Sequence, residues 1–357
     1  MYEYDQIRRL HLEATTKCNA ACPQCPRNLN GGATNPAIPI TEFTLNTAKR
    51  ILRHQFLLQL VHVTICGNYG DAMFAQDILE ICKYIRSTNP WIDIELHTNG
   101  SLRAPSLWAE LAQTISRCVF AIDGLEDTNA LYRRKTSWNL IMKNVSAFIG
   151  AGGAAEWNFI AFRHNEHQIT QAAELARKLG FKRFCVKRTS RFFKRGKVHD
   201  VLPILNNSGE NDGFLEIPMT PALRNPAVEE MRNAIEQGAT YDEIVASTPI
   251  QCAASELKSI YIGAEGLVFP CCWMAQIYPS GDISKRKLQV IKLIEQYGPG
   301  LSAIDANLRT IEAIVGSEVF RIEIPNGWRK GPERLEICAR QCGRFRLSGT
   351  QKTSSLI

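Results

Sequence analysis

The chain has 357 residues, 45% hydrophobic and 22% charged, with a formal net charge of +7. That balance belongs to a globular protein of one large or two ordinary domains. The absence of any run of about 18 apolar residues excludes a membrane-spanning helix, and the mild positive charge permits an anionic partner without requiring one.

The opening "MYEYDQIRRLHLEATTKC" has no apolar h-region and no small-residue cleavage site, so no signal peptide and a cytoplasmic location are expected. Twelve cysteines in a reducing compartment read as metal ligands or reactive groups rather than as a disulfide framework. Strand-like and helical stretches then alternate. "RRLHLEAT" is strand-like, and "TLNTAKRILRHQF" follows at helical spacing. The pairs "LVHVTIC" and "FAQDILEICKYIR", "WIDIELHT" and "APSLWAELAQTI", and "RCVFAID" and "WNLIMKNVSAFIG" repeat the pattern. "AEWNFIAF" precedes "EHQITQAAELARKLG", which ends at Gly180 as a C-cap, and "FKRFCVK" is a sixth strand. Six such units predict an α/β fold, a partial (β/α)6 TIM-like barrel, over residues 1–200.

Residues 201–250, rich in Pro, Gly and Asn at first, predict an extended connection with a short helix near Ala227 to Gln237. A smaller α+β domain is expected over 251–345. It opens with a hairpin at "SIYIGAEGLVFPCCW", continues through helices at "SKRKLQVIKLIEQYG" and "LSAIDANLRTIEAIVG", and closes at "CARQC". Residues 346–357 read as a loose tail.

Chemistry concentrates in "TTKCNAACPQCPRN", where Cys18, Cys22 and Cys25 stand as CxxxCxxC with no fourth cysteine before Cys66. The triplet follows the first strand, and parallel α/β sheets bind ligands at the carboxyl ends of their strands. Three thiolates can hold a 4Fe-4S cluster and leave one iron open to another ligand. A zinc site is the competing reading, but zinc sites built from cysteine use four ligands, and the nearest histidine, His11, lies upstream in the strand.

This motif after a first strand resembles the radical S-adenosylmethionine (SAM) superfamily. The resemblance implies that SAM chelates the open iron and is cleaved reductively to a 5′-deoxyadenosyl radical, which abstracts a hydrogen atom from a substrate. "CGNYGDA", with Gly67, Asn68, Gly70 and Asp71, resembles the superfamily's glycine-rich motif, whose backbone meets the SAM amino group. The family usually has Glu and Pro where Asp71 and Ala72 stand. "HTNGS" contributes Asn99 at the border of the SAM pocket. "AIDG" offers Asp123 to a ribose hydroxyl, and Arg133 or Arg134 of "LYRRK" to the SAM carboxylate.

A second cysteine set carries the resemblance further. Cys252, Gly266 and Cys271 form CX13GX4C, which resembles the opening of SPASM and twitch domains. With Cys338 and Cys342, four ligands would coordinate one auxiliary 4Fe-4S cluster, as in the twitch type. Cys272 stands as an alternative to Cys271.

"FKRFCVKRTSRFFKRGK" packs eight Lys and Arg into seventeen residues with Phe interleaved. It can hold a substrate carboxylate or phosphate, form a solvated face, or contact nucleic acid. Cys66 and Cys185 are strand cysteines outside both sets. Either could return a hydrogen atom to a substrate radical, though a small core residue is the simpler role.

Three functions compete at this level. Two use the radical machinery with an electron donor such as flavodoxin or ferredoxin. One of these acts on a peptide or protein, the other on a small polar metabolite such as an amino sugar or nucleotide. The metabolite is favoured, as no peptide-recognition domain stands before the first strand. The third is a non-catalytic zinc or iron–sulfur module that meets nucleic acid through residues 182–197.

Overall fold

The computed structural model describes every residue except 195, 278–284, 332–333, 346–349 and 356–357. Six parallel strands stand side by side in chain order: β1 (Arg9–Leu12), β2 (His62–Ile65), β3 (Asp93–Thr98), β4 (Arg117–Ala121), β5 (Ala155–Ile160) and β6 (Arg183–Thr189). Helices return the chain between them, among them Ile78–Thr88, Pro105–Ala112, Trp138–Gly150 and Ile169–Leu179. β1 and β6 do not pair with each other, so this is the open, partial barrel that the alternating pattern predicts.

Burial alternates strictly along β3 and β5. One set of side chains packs under the helices, and the other, including His97 and Asn158, faces the barrel interior. Under the helices, Trp108 stacks on Phe120 at 5.3 Å, and Phe148 meets Phe120 edge-on at 5.9 Å. Trp108 is fully buried with its indole N–H donated to the Leu102 carbonyl at 2.9 Å. Each such ring contributes about 2–3 kcal/mol by burial.

Several elements differ from the sequence reading. The stretch after β1 forms two helices, Leu45–Ile51 and His54–Gln59, because Leu52 and Arg53 leave the helical conformation between them. The connection over 201–250 opens with an antiparallel hairpin, Val201–Leu205 against Asn211–Glu216. It then carries two helices, Pro226–Glu236 and Tyr241–Ser247. "LSAIDANLRTIEAIVG" keeps only a short helix at Ile311–Val315. Part of the expected tail, Thr350–Ser355, pairs antiparallel with β6.

The C-terminal hairpin, Ser259–Ile262 with Val268–Phe269, joins the main sheet. Ser259–Ile262 runs parallel to β1, register Arg9 to Ser259 through Leu12 to Ile262. The nine-stranded sheet and one apolar core therefore continue across the boundary expected near residue 251.

Candidate active site

A cavity of about 360 Å³ opens at the carboxyl ends of the strands. Cys18, Cys22 and Cys25 all line it. Their loop is pinned from both sides: Thr16 Oγ1 donates to the Pro39 carbonyl at 2.7 Å, and Arg27 Nε to the Thr16 carbonyl at 2.9 Å. N–H groups face the sulfurs. The Ala20 amide lies 3.3 Å from Cys18 Sγ, Asn99 Nδ2 lies 3.9 Å from the same atom, and Arg133 Nη1 lies 3.8 Å from Cys22 Sγ. Burial raises the Cys18 thiol, and it pushes Cys22 up to about 11 against the pull of Arg133. A metal must displace those protons, and the N–H donors then stabilise the thiolates. Among the described residues, no three His, Cys, Asp or Glu side chains converge on the position of a single metal ion. The thiols stand around a cavity, which suits a polynuclear cluster.

The Gly67–Asp71 loop forms the next wall. Gly70 is pressed against the start of the cysteine loop: a Cβ there would stand 1.7 Å from the Thr15 carbonyl oxygen. The Asp71 carboxylate is buried and accepts from Thr98 Oγ1 at 2.8 Å and the amides of Asn99 and Met73 at 2.7 and 3.0 Å. Asp71 thus ties this loop to the TNG loop. Asn99 also reaches Asn19 Oδ1 at 2.9 Å.

Asp123 departs from its expected role. It is fully buried, outside the cavity lining, and pairs with Arg133 Nε at 2.6 Å while accepting from the Ile160 amide at 2.5 Å. Its carboxylate is committed to the protein rather than offered to a ribose. Arg133 lines the cavity, whereas Arg134 turns away to Asp212, which separates the two arginines left open by the sequence. Cys66 lines the cavity; Cys185 is fully buried and outside the lining.

The sequence reading missed Glu13. It directly follows β1 and is buried, with Oε1 accepting from the amides of Tyr69 at 2.8 Å and Gly70 at 3.1 Å. Its other oxygen accepts from the Tyr261 hydroxyl of the C-terminal hairpin. Burial pushes the Glu13 carboxyl up to about 7, against these donors. The folded chain therefore holds this proton more tightly than the unfolded chain does. Stability is greatest below the unfolded value near 4.5, falls as pH rises from there to about 7, and levels off above. Glu13→Gln keeps an acceptor for both amides. It is expected to flatten that fall, by up to about 3 kcal/mol. Urea unfolding of both chains at pH 5 and 7.5 checks this, and equal pH slopes would contradict it.

Other lining residues had no motif to announce them. His11 Nε2 donates to the Cys66 carbonyl at 2.6 Å, and burial lowers the ring to about 4, so it is neutral. Lys187 and Arg191 come from the end of β6, and Cys272, Trp273 and Gln276 from the helix Cys272–Ile277. Asn68 Nδ2 donates to the Cys272 carbonyl at 2.9 Å, docking that helix on the glycine-rich loop.

Cys252, Cys271, Cys338 and Cys342 are neighbours. Burial, with the Cys252 and Cys342 charges adding to it, pushes the Cys271 thiol up to about 12. Cys338 is raised first by burial and then by Cys271, Cys252 and Cys342. The buried indole N–H of Trp328 has no oxygen or nitrogen acceptor and lies beside Cys338. Four thiols with an N–H donor beside one of them suit an iron–sulfur cluster. Cys272 faces the other way, lining the main cavity, with its thiol raised by burial and then by Cys271 and Cys66.

No protein-family model and no curated protein matches the chain in sequence. Among solved structures, native anSMEcpe with bound AdoMet and Kp18Cys peptide aligns at 11% identity over 94% of this chain and 89% of that chain, TM-score 0.54. Native anSMEcpe with bound AdoMet alone aligns at 12% identity over 94% and 89%, TM-score 0.52. Streptococcus suis SuiB aligns at 18% identity over 75% of this chain, TM-score 0.47, and the alignment spans 61% of SuiB. At these identities the likeness is one of fold: the chain shares its partial α/β barrel with anSMEcpe. No helix among the described residues is long and apolar enough to cross a membrane.

Proposed function

We propose that this chain is a radical SAM enzyme acting on a C–H bond of a small polar metabolite or of a peptide. The supporting observation is convergence: three thiols, the Gly67–Asp71 loop, Asn99 and Arg133 line one cavity at the carboxyl ends of the parallel strands. Cys18, Cys22 and Cys25 would hold a 4Fe-4S cluster, and Cys252, Cys271, Cys338 and Cys342 an auxiliary one. When bound, the cluster and SAM supply the 5′-deoxyadenosyl radical; the protein supplies position and electrostatics.

The backbone of Gly67, Asn68 and Gly70 would receive the SAM amino group. Glu13 and Asp71 hold that loop in place from behind. Arg133, fixed by Asp123, presents positive charge beside Cys22 for the SAM carboxylate. Cys66 remains a candidate hydrogen-atom donor by its place in the lining. Electrons would come from a donor such as flavodoxin or ferredoxin. The peptide class is supported by anSMEcpe, whose structure holds the Kp18Cys peptide.

The test is anaerobic incubation of reconstituted protein with SAM and dithionite, scored for 5′-deoxyadenosine. The reading expects product from the wild type and none from a Cys18/Cys22/Cys25→Ala variant. Absence of product from an iron-loaded, SAM-binding wild type would overturn it.

A further inference from the structure

A second chamber of about 270 Å³ adjoins the main cavity and shares Cys25, Arg191, Trp273 and Gln276 with it. Three cations, Arg191, Lys194 and Arg340, are among its described lining residues, and no carboxylate is. They come from separate places. Arg191 follows β6 and its Nη1 donates to the Gln24 carbonyl at 3.0 Å. Lys194 sits on the small hairpin Phe193–Lys194/Lys197–Val198, turned at Gly196 with φ +76°, and reaches Asn30 Oδ1 at 3.3 Å. Arg340 belongs to the helix Glu336–Cys342, stacks over the Phe193 ring at 5.3 Å and donates to its carbonyl at 2.9 Å.

These carbonyl and amide oxygens orient the three groups over the chamber. Among the described residues Arg191 forms no ion pair. The amide nitrogens of Gln24 and Asn28, both lining residues, are buried and find no acceptor in the protein. Arg191 and these two amide nitrogens are donors on one chamber wall that a bound anion would satisfy. The chamber is too small for a nucleic-acid strand and large enough for one phosphate- or carboxylate-bearing fragment.

We propose that this chamber binds an oxyanion group of the substrate, carboxylate or phosphate, and so places the substrate against the Cys25 side of the main cavity. The inference rests on the proposed reaction for its role and on the chamber alone for its ligand. Arg191, on the wall common to both spaces, is the positioning residue.

The experiment is calorimetric titration of the full chain with inorganic phosphate and, separately, with succinate at low ionic strength. Wild type is compared with Arg191→Gln/Lys194→Gln, and SAM affinity is measured on the wild type and on Lys194→Gln. The wild type is expected to bind one probe saturably, near one per chain, and the variant at least ~10-fold more weakly. In Lys194→Gln, which lines the chamber and not the main cavity, SAM affinity should change less than about twofold. Phosphate selectivity would mark a phosphorylated substrate, and succinate selectivity a carboxylate.

No saturable binding, equal binding by both chains, or a parallel loss of SAM affinity would each overturn the proposal. In the last case the cations serve the cofactor. Should circular dichroism show that the double variant does not fold, Lys194→Gln alone is titrated, with at least ~3-fold weakening expected and equal binding overturning the proposal. Anion binding without 5′-deoxyadenosine production would sink the reaction and leave the anion site standing.

Discussion

Gly70→Ala is expected to unfold at markedly lower denaturant than the wild type and to lose SAM binding at least ~10-fold. The added Cβ would stand 1.7 Å from the Thr15 carbonyl oxygen and 3.0 Å from that of Lys17. Neither neighbour is the flexible end of a side chain. Thr15 is held by its hydroxyl to the Thr41 carbonyl at 3.0 Å, and the Asp71 amide fixes Lys17 from the other side at 2.9 Å. The loop must therefore move outward, which breaks the Gly70 amide's bond to Glu13 and shifts the backbone proposed to meet SAM. Overpacking against backbone costs about 3 kcal/mol here. Gly150→Ala is the control, because a Cβ there meets nothing within 4 Å and the position is helical. It should be neutral or slightly stabilising. Equal midpoints for Gly70→Ala and wild type would show that the two loops do not lock together.

The second large effect separates two adjacent cysteines. Cys271→Ser is expected to lower reconstituted iron from about eight to about four per chain, and Cys272→Ser to leave it near eight. Cys271 is grouped with Cys252, Cys338 and Cys342, while Cys272 lines the main cavity near Cys66. Serine preserves size, so a difference between the variants reports ligation rather than packing. Loss of iron on Cys272→Ser with none on Cys271→Ser would reverse the assignment. Equal iron in both variants would remove the auxiliary site as drawn.

What the chain discloses before folding is mostly local. The cysteine triplet, the glycine-rich loop, the TNG turn and the strand–helix alternation are written in short windows, and the fold carries the triplet and both loops to the carboxyl ends of the parallel strands. Contacts between distant segments are the illegible part. Glu13 reads as one more strand residue until Tyr261, 248 positions away, donates to it. Asp123 looks like a ribose ligand because the sequence does not reveal that Arg133 folds back onto it. Trp273 and Gln276 carry no motif and enter the cavity only because the C-terminal hairpin extends the sheet beside β1. The Thr350–Ser355 strand was hidden for a similar reason: a polar stretch pairs through its backbone, which composition does not report.

Iron and acid-labile sulfide per chain, after anaerobic reconstitution of the wild type and of the Cys18/Cys22/Cys25→Ala variant, test the central claim most directly. The account predicts about eight of each in the wild type and about four in the variant, with SAM binding lost alongside. Zinc bound without sulfide, or equal iron in both chains, would contradict it.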